Sequence, residues 1–257
     1  MAKPVIKHTI RRIVSALPGG GALLRARANY IERRRFARIG GTEDVFRSHY
    51  ESGRWNCGES VSGPGSTLEY TENIRKKLPP LLKELGVSVI LDAPCGDYNW
   101  IRTIDWETPI TYVGADIVEP LVQRNQSRYG SPHTRFIHLD IVHEPLPEAD
   151  LWLCRDCLPH LSHYDIFGAI DNFLASRIPY LLTSTYPECV KNYDTPSGAY
   201  RDLNLLLSPF EFGEPLQVMD DWIEGYPVRQ LGLWEREVLK IQLASNRHFQ
   251  RLRDSRG

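Results

Sequence analysis

The 257-residue sequence has no apolar run near the roughly 18 to 20 residues needed to cross a bilayer, and its first residues lack the apolar stretch and small-residue cleavage site of a secretory signal. The expected compartment is the cytoplasm. Cysteine is sparse and odd in number: Cys57, Cys95, Cys154, Cys157 and Cys189 have no regular spacing, which excludes a disulfide scaffold. Cys154-Arg155-Asp156-Cys157 has the spacing of a metal or redox pair, yet no second close pair completes a four-ligand site. Charge of one sign is also lacking, with 31 basic against 32 acidic residues, so a uniformly basic nucleic-acid-binding body is excluded. No repeat of about 20 to 50 residues is present, which removes solenoids and propellers.

What is present is an ordinary globular composition, 42% apolar and 25% charged, with enough chain to bury a sizeable core. The charge is uneven. Residues 1–40 carry ten Lys or Arg and a single Glu32, and the other 217 residues carry 21 basic and 31 acidic. This basic segment predicts a short helix from Ile6 to Leu17, a break at Gly19-Gly20-Gly21 and a second helix through Arg38. It reads as a solvated or subunit-packing arm, compatible with a homodimer, ahead of a membrane-surface anchor.

Past Gly41, short β-branched runs alternate with helical stretches, the pattern of βαβ units around a parallel sheet. Strands are predicted at Val87 to Leu91, Thr111 to Asp116, Arg135 to Leu139, Leu151 to Cys154 and Tyr180 to Thr185. Helices are predicted at Thr71 to Leu85, Trp100 to Ile104, Glu119 to Tyr129 and His163 to Ser176. Two further extended runs, Leu216 to Trp222 and Arg229 to Ile241, predict an antiparallel pair at one edge. The expected fold is α/β: a Rossmann-like, seven-stranded, mostly parallel sheet with a C-terminal antiparallel hairpin and helices on both faces. Ligands of such sheets bind beyond the carboxyl ends of the strands.

Acids stand at those ends. The run Val89 to Leu91 leads into Asp92-Ala93-Pro94-Cys95-Gly96-Asp97-Tyr98-Asn99-Trp100, and the second strand ends in Asp116, followed by Ile117. In nucleoside-binding sheets a carboxylate on the second strand accepts hydrogen bonds from both ribose hydroxyls. The turn lacks the several glycines that bare backbone amides to a pyrophosphate, which speaks against a nicotinamide-dependent oxidoreductase. A non-catalytic module acting through the basic arm is a third reading.

Asp92 to Tyr98 resembles the first motif of class I S-adenosylmethionine-dependent methyltransferases, with Pro94 and Tyr98 where glycines are usual. The resemblance covers roughly residues 45–240. It implies S-adenosylmethionine as cofactor and S-adenosylhomocysteine as product, with Asp92 and Asp97 at the cationic end, beside Pro94, Gly96 and Trp100. It carries Asp140 and Ile141 to the adenine and Arg155 to the fourth strand facing the sulfonium, and it makes Trp55, Ser62 and Gly63 part of an N-terminal cover. The implied organisation is a basic arm (1–40), a cap (41–85), a catalytic core (86–245) with an acceptor loop at 186–213, and a polar tail (246–257).

Methyl transfer to a hydroxyl needs alignment and a base. Asp156 and His160 follow the fourth strand, four residues apart at a helix start, which makes His160 the candidate base and Asp156 its orienter or a sugar or metal ligand. His143 is an alternative base, and His138 reads as structural. The loop offers Thr185, Glu188, Asn192, Tyr200, Arg201 and Asn204, a mixture suited to a neutral polyhydroxyl acceptor and not to nucleic acid. Asp156, Glu188 and Asp194 are candidate ligands for Mg²⁺. Cys154 to Ser162, Leu203 to Leu205 and Leu231 to Trp234 resemble a bacterial subfamily of sugar-directed methyltransferases, including mycobacterial enzymes of methylmannose polysaccharide synthesis. That resemblance implies a saccharide or oligosaccharide acceptor, specifically the 1-OH of a 3-O-methylated mannoside. Another small polar metabolite is the alternative acceptor.

Overall fold

The computed structural model describes residues 20–254. Its sheet runs in the order β3-β2-β1-β4-β5-β7-β6, with β1 at Val89–Asp92, β2 at Thr111–Asp116, β3 at Thr134–His138, β4 at Leu151–Cys154, β5 at Tyr180–Thr185, β6 at Gln217–Asp220 and β7 at Gln230–Glu235. Strands β1 to β5 pair in parallel, while β7 is antiparallel to both β5 and β6. The predicted topology class is therefore present.

The central strands are continuous apolar runs because both their faces are covered. Along β4, Leu151 and Leu153 enter one core while Trp152 and Cys154 enter the other, as the two-residue period of a strand requires. Helix α1 is Gly20–Phe36, α2 Thr42–Glu51, α3 Glu72–Glu84, α4 Glu119–Tyr129, α5 His163–Ala175, α6 Arg236–Ala244 and α7 Arg247–Asp254. Ile74, Leu78 and Leu82 of α3, spaced by four, and Val122 of α4 cover one face with Ile90, Tyr112 and Leu233. Ile166, Phe167, Ile170 and Phe173 of α5 cover the other with Leu91, Leu181, Trp234 and residues of α6 and α7.

Several boundaries differ from the expectations. Val87 closes the end of α3, its amide donating to the Leu82 carbonyl, so β1 starts at Val89 and reaches Asp92. Trp100 to Ile104 forms only a 3₁₀ turn, Ile101–Thr103, with the Thr103 hydroxyl donating to the Trp100 carbonyl. The run from Arg229 to Ile241 is not one strand. It bends into α6 after Glu235, because Leu239 and Leu243, four apart, bury their side chains while Val238 and Ile241 face solvent. The tail is polar in composition yet carries α7, which inserts Phe249 into the α5 core. The predicted helix at Ile6 to Leu17 lies outside the described residues, and at the glycine triplet helix α1 already begins at Gly20.

Residues 186–213 contain no regular element but are packed, with Leu203, Leu205, Phe210 and Phe212 essentially inaccessible. The arm and cap fasten this segment. The Asn29 amide donates to the Asp194 carbonyl at 2.7 Å, Arg25 lies 3.8 Å over the Tyr193 ring, and His49 Nε2 sits 2.9 Å from the Gly198 carbonyl. Gly198 is required there: its φ is +96°, and a Cβ would come within 2.4 Å of Val45.

Because α7 is anchored by one aromatic, Phe249→Ala is expected to destabilise the fold by about 3 to 5 kcal/mol. A guanidinium unfolding curve measures this, and a change under about 1 kcal/mol would show that the tail is not part of the core.

Candidate active site

Strand order reverses between β1 and β4, and a cavity of about 470 Å³ opens there beyond the carboxyl ends of the strands. All thirteen residues predicted for the cofactor line it: Trp55, Ser62, Gly63, Asp92, Pro94, Gly96, Asp97, Trp100, Asp116, Ile117, Asp140, Ile141 and Arg155. Asp156, His160 and Tyr200 line it too.

Each carboxylate is placed by its strand or turn. Asp92 ends β1, is nearly inaccessible and accepts the Tyr112 hydroxyl at 2.6 Å. Burial, only partly offset by that bond and by Arg155, pushes its carboxyl up to about 7. Asp116 ends β2 and accepts the amides of Gly96 at 3.1 Å and Val118 at 3.0 Å. Burial again dominates and raises it to about 6. Asp97 instead clamps the cap, accepting the Val61 amide at 2.9 Å and the Ser60 hydroxyl at 3.1 Å, while its own amide donates to Ser62 Oγ. Gly96 makes this clamp possible. Its φ is +54°, and a Cβ would lie 2.3 Å from Ser62 Oγ. Asp140 accepts the Val142 amide and is held by His143 Nδ1 at 2.8 Å, so His143 positions a carboxylate at the cavity rim.

The other half of the cavity, at β4, β5 and β7, is built differently. Asp156 has a φ of +55° in the left-handed region, held by its amide donating to Ser184 Oγ. Its carboxylate does not orient His160. Oδ2 lies 2.5 Å from Arg229 Nη1, and although burial alone would raise the acid, Arg229, His160 and Arg155 hold it well below the usual carboxylate range. Arg229 also pairs with Asp221, which forms a bidentate pair with Arg155, so four alternating charges are linked.

His160 lies in a 3₁₀ turn, Leu158–His160, and is oriented by Nδ1 contacting the Ala199 carbonyl at 3.0 Å and by the rings of Trp55 and Tyr200 at 5.3 and 5.2 Å. Since a carbonyl only accepts, Nδ1 carries the proton and Nε2 keeps its lone pair. Burial lowers the imidazole's pKa despite the attraction of Asp156, which favours the neutral form.

The remaining acceptor candidates do not line the cavity. Thr185 Oγ1 accepts the Leu205 amide. Asn192 and Asn204 fasten the segment to itself: the Asn192 amide donates to the Asn204 carbonyl and its oxygen accepts the Asn204 amide. Arg201 Nη1 donates to the carbonyls of Leu158 and Pro159. Glu188 is exposed, and Asp194 accepts the His163 amide and pairs with Arg33. Asp156, Glu188 and Asp194 therefore do not form a metal cluster, and no acid, histidine or cysteine group suited to a metal occurs among the described residues. Sequence reasoning missed Arg229, Asp221, Tyr70 and Tyr186. Arg229 immediately precedes β7, and its place as the first residue of the extended run expected from Arg229 to Ile241 was the only signal.

The sequence matches no protein-family model and no curated protein. Solved structures are similar in fold. A Burkholderia thailandensis 1,6-didemethyltoxoflavin N1-methyltransferase with 1,6-didemethyltoxoflavin and S-adenosylhomocysteine bound superposes with a TM-score of 0.54 at 17% identity, covering 79% of this chain and 89% of that one. The N-methyltransferase NodS from Bradyrhizobium japonicum, with S-adenosylhomocysteine, gives 0.53 at 15% identity, covering 73% and 97%. A magnesium protoporphyrin IX methyltransferase from Synechocystis with S-adenosylmethionine gives 0.51 at 16%, covering 75% and 96%. The fold is a methyltransferase fold.

The buried Asp92 carboxyl supplies a test. With its folded pKa raised from about 3.8 to about 7, the native state binds the extra proton, so this group's contribution to stability falls as pH rises from about 4 to 7. Asp92→Asn is therefore expected to gain stability relative to the parent as pH rises from 5 to 8, measured by denaturant unfolding at each pH. A pH-independent difference would place the Asp92 carboxyl in contact with solvent.

Proposed function

We propose that the protein is an S-adenosylmethionine-dependent methyltransferase that methylates a saccharide hydroxyl. The observation that carries the cofactor half is the set of acids on one cavity wall. Asp92, Asp97, Asp116 and Asp140 line the cavity, and burial holds Asp92 and Asp116 above the usual carboxylate range despite the donors they already have. That wall suits a ligand rich in donors and positive charge, and repels a pyrophosphate. Asp116 would accept the ribose hydroxyls and Asp140 the adenine amino group, with Ile141 and Ile117 against the ring. Asp92 and Asp97 would face the ammonium end, under the cover of Trp55, Ser62 and Gly63.

S-adenosylmethionine, when bound, supplies an electrophilic methyl group on a cationic sulfur. His160 Nε2 would take the acceptor's hydroxyl proton as the methyl group passed from sulfur to that oxygen, giving an O-methylated acceptor, a neutral thioether and a protonated imidazole. Its neutral state and fixed tautomer suit it to that task. The acceptor half displays tyrosine rings and hydroxyls, a mixture suited to sugar binding by stacking and hydrogen bonds. The resemblance to sugar-directed enzymes narrows the proposal to the 1-OH of a 3-O-methylated mannoside. No helix among the described residues is long and apolar enough to cross a membrane.

Titration calorimetry with S-adenosylhomocysteine and tritiated-methyl transfer to a panel of mono- and oligosaccharides test the proposal. Asp116→Ala is expected to weaken S-adenosylhomocysteine binding by about 10- to 100-fold, and the parent's affinity is expected to fall below about pH 6 as that carboxyl protonates. An unchanged affinity would reject the second-strand assignment. His160→Ala is expected to lower turnover by about 10²- to 10⁴-fold with cofactor affinity unchanged. A parallel loss of both would make His160 structural.

A further inference from the structure

We propose that Arg229 and Asp156 together form the acceptor's recognition pair, one donor and one acceptor that engage adjacent hydroxyls of an uncharged sugar ring. This deepens the saccharide proposal and rests on it.

Arg229 lies at the β7 edge of the cavity, separated by β4 and β5 from the β1-to-β3 tips where the cofactor's acids stand. Its side chain is 3% exposed, Nη1 pairs with Asp156 and Nε with Asp221, yet Nη2 has no hydrogen-bond partner. A buried guanidinium nitrogen without an acceptor is costly unless a ligand supplies one. Beside it, Asp156 is the one member of the linked charges with a substantially exposed side chain, 30% against 4% or less for Arg155, Asp221 and Arg229. An unfilled donor and an accessible carboxylate thus stand side by side.

Gly65 packs directly over them. A Cβ there would meet Arg229 Nη2 and Asp156 Oδ2, each at 3.3 Å, so this glycine faces both halves of the pair at once. Its backbone is not in the left-handed region, and hence nothing conformational demands glycine at this position.

The charge count selects the ligand class. Arg155 and Arg229 balance Asp156 and Asp221, and His160 is held toward neutrality. A phosphate or carboxylate on the acceptor would add uncompensated charge to a poorly hydrated site. A vicinal diol adds none. One hydroxyl donates to Asp156 and its neighbour accepts from Arg229, while the tyrosine rings at 70 and 226, which are 5.2 Å apart, supply an apolar wall.

The test uses the full chain and three measurements. Tritiated-methyl transfer is assayed on mannose, glucose and 3-O-methylmannose, with glucuronate and mannose 6-phosphate as charged counterparts that keep a free 1-OH. Gly65→Ala and Arg229→Lys are then compared with the parent for acceptor KM and, by calorimetry, for S-adenosylhomocysteine affinity. Gly65→Ala, which the backbone conformation tolerates and which presses a methyl against Arg229 and Asp156, is expected to raise the KM of a neutral acceptor by about tenfold or more with S-adenosylhomocysteine affinity within twofold of the parent. Deoxygenation next to the methylated hydroxyl is expected to raise KM in the parent and not in Gly65→Ala. A fall in S-adenosylhomocysteine affinity in Gly65→Ala would assign the pair to the cofactor and overturn the inference. Preference for glucuronate or mannose 6-phosphate, or an unchanged KM in Gly65→Ala, would overturn it while leaving saccharide methylation intact. Transfer to no saccharide, with S-adenosylhomocysteine still bound, would reject the saccharide proposal and this inference together.

Discussion

Two guanidiniums and two carboxylates, linked as Arg155–Asp221–Arg229–Asp156, hold the cavity's floor together. Arg155 and Asp156 follow β4, Arg229 precedes β7, and Asp221 follows β6, so the chain of charges ties three strands across the carboxyl edge of the sheet. Arg155 also donates to the Gly65 carbonyl at 2.6 Å, which connects the floor to the cap. Such a buried array gains little net stability over apolar packing, because desolvation offsets the attraction, but removing one member strands its partners. Its value lies in geometry. It fixes where a carboxylate and a guanidinium meet the cavity and keeps that region electrically balanced.

The half of the site contributed by β1, β2 and β3 was legible in the sequence. Asp92, Asp116 and Asp140 each close an apolar run, and a parallel sheet brings such termini to one edge whatever lies between them. The same rule located Asp156 and His160. It could not assign their partners. Asp156 was expected beside His160 on a helical face, but the chain makes only one 3₁₀ turn there, and an arginine 73 positions away captures the carboxylate. Pairings across β5 and β7 depend on an antiparallel register that no local spacing encodes.

The loop from 186 to 213 shows the opposite failure. Its amides and hydroxyls read as ligand donors because such residues suit sugars, yet a packed segment without helix or strand leaves many backbone groups unpaired. Those groups must be satisfied first. Asn192 and Asn204 bridge the carbonyls of residues 187, 189, 204, 207 and 208, and Thr185 takes the amide of Leu205. Polar side chains flanked by buried apolar ones, as Asn204 is by Leu203 and Leu205, serve the loop's own backbone. Tyr200, flanked by Ala199 and Arg201 in a less buried stretch, is the candidate that reaches the cavity.

The cap and the loop meet at His160. Trp55 from the cap and Tyr200 from the loop pack on the imidazole, and the Ala199 carbonyl sets its tautomer. Val45 and His49 of α2 close on Gly198, while His160's own carbonyl receives the Gly198 amide at 2.8 Å. One stretch, residues 198–200, thus anchors the cap and orients the candidate base. Displacing the cap would loosen both sides of the imidazole, whereas a ligand that draws Trp55 inward would tighten them. Coupling between Trp55 and the His160 imidazole is therefore a consequence of packing alone, with no hinge or separate switch needed to transmit it.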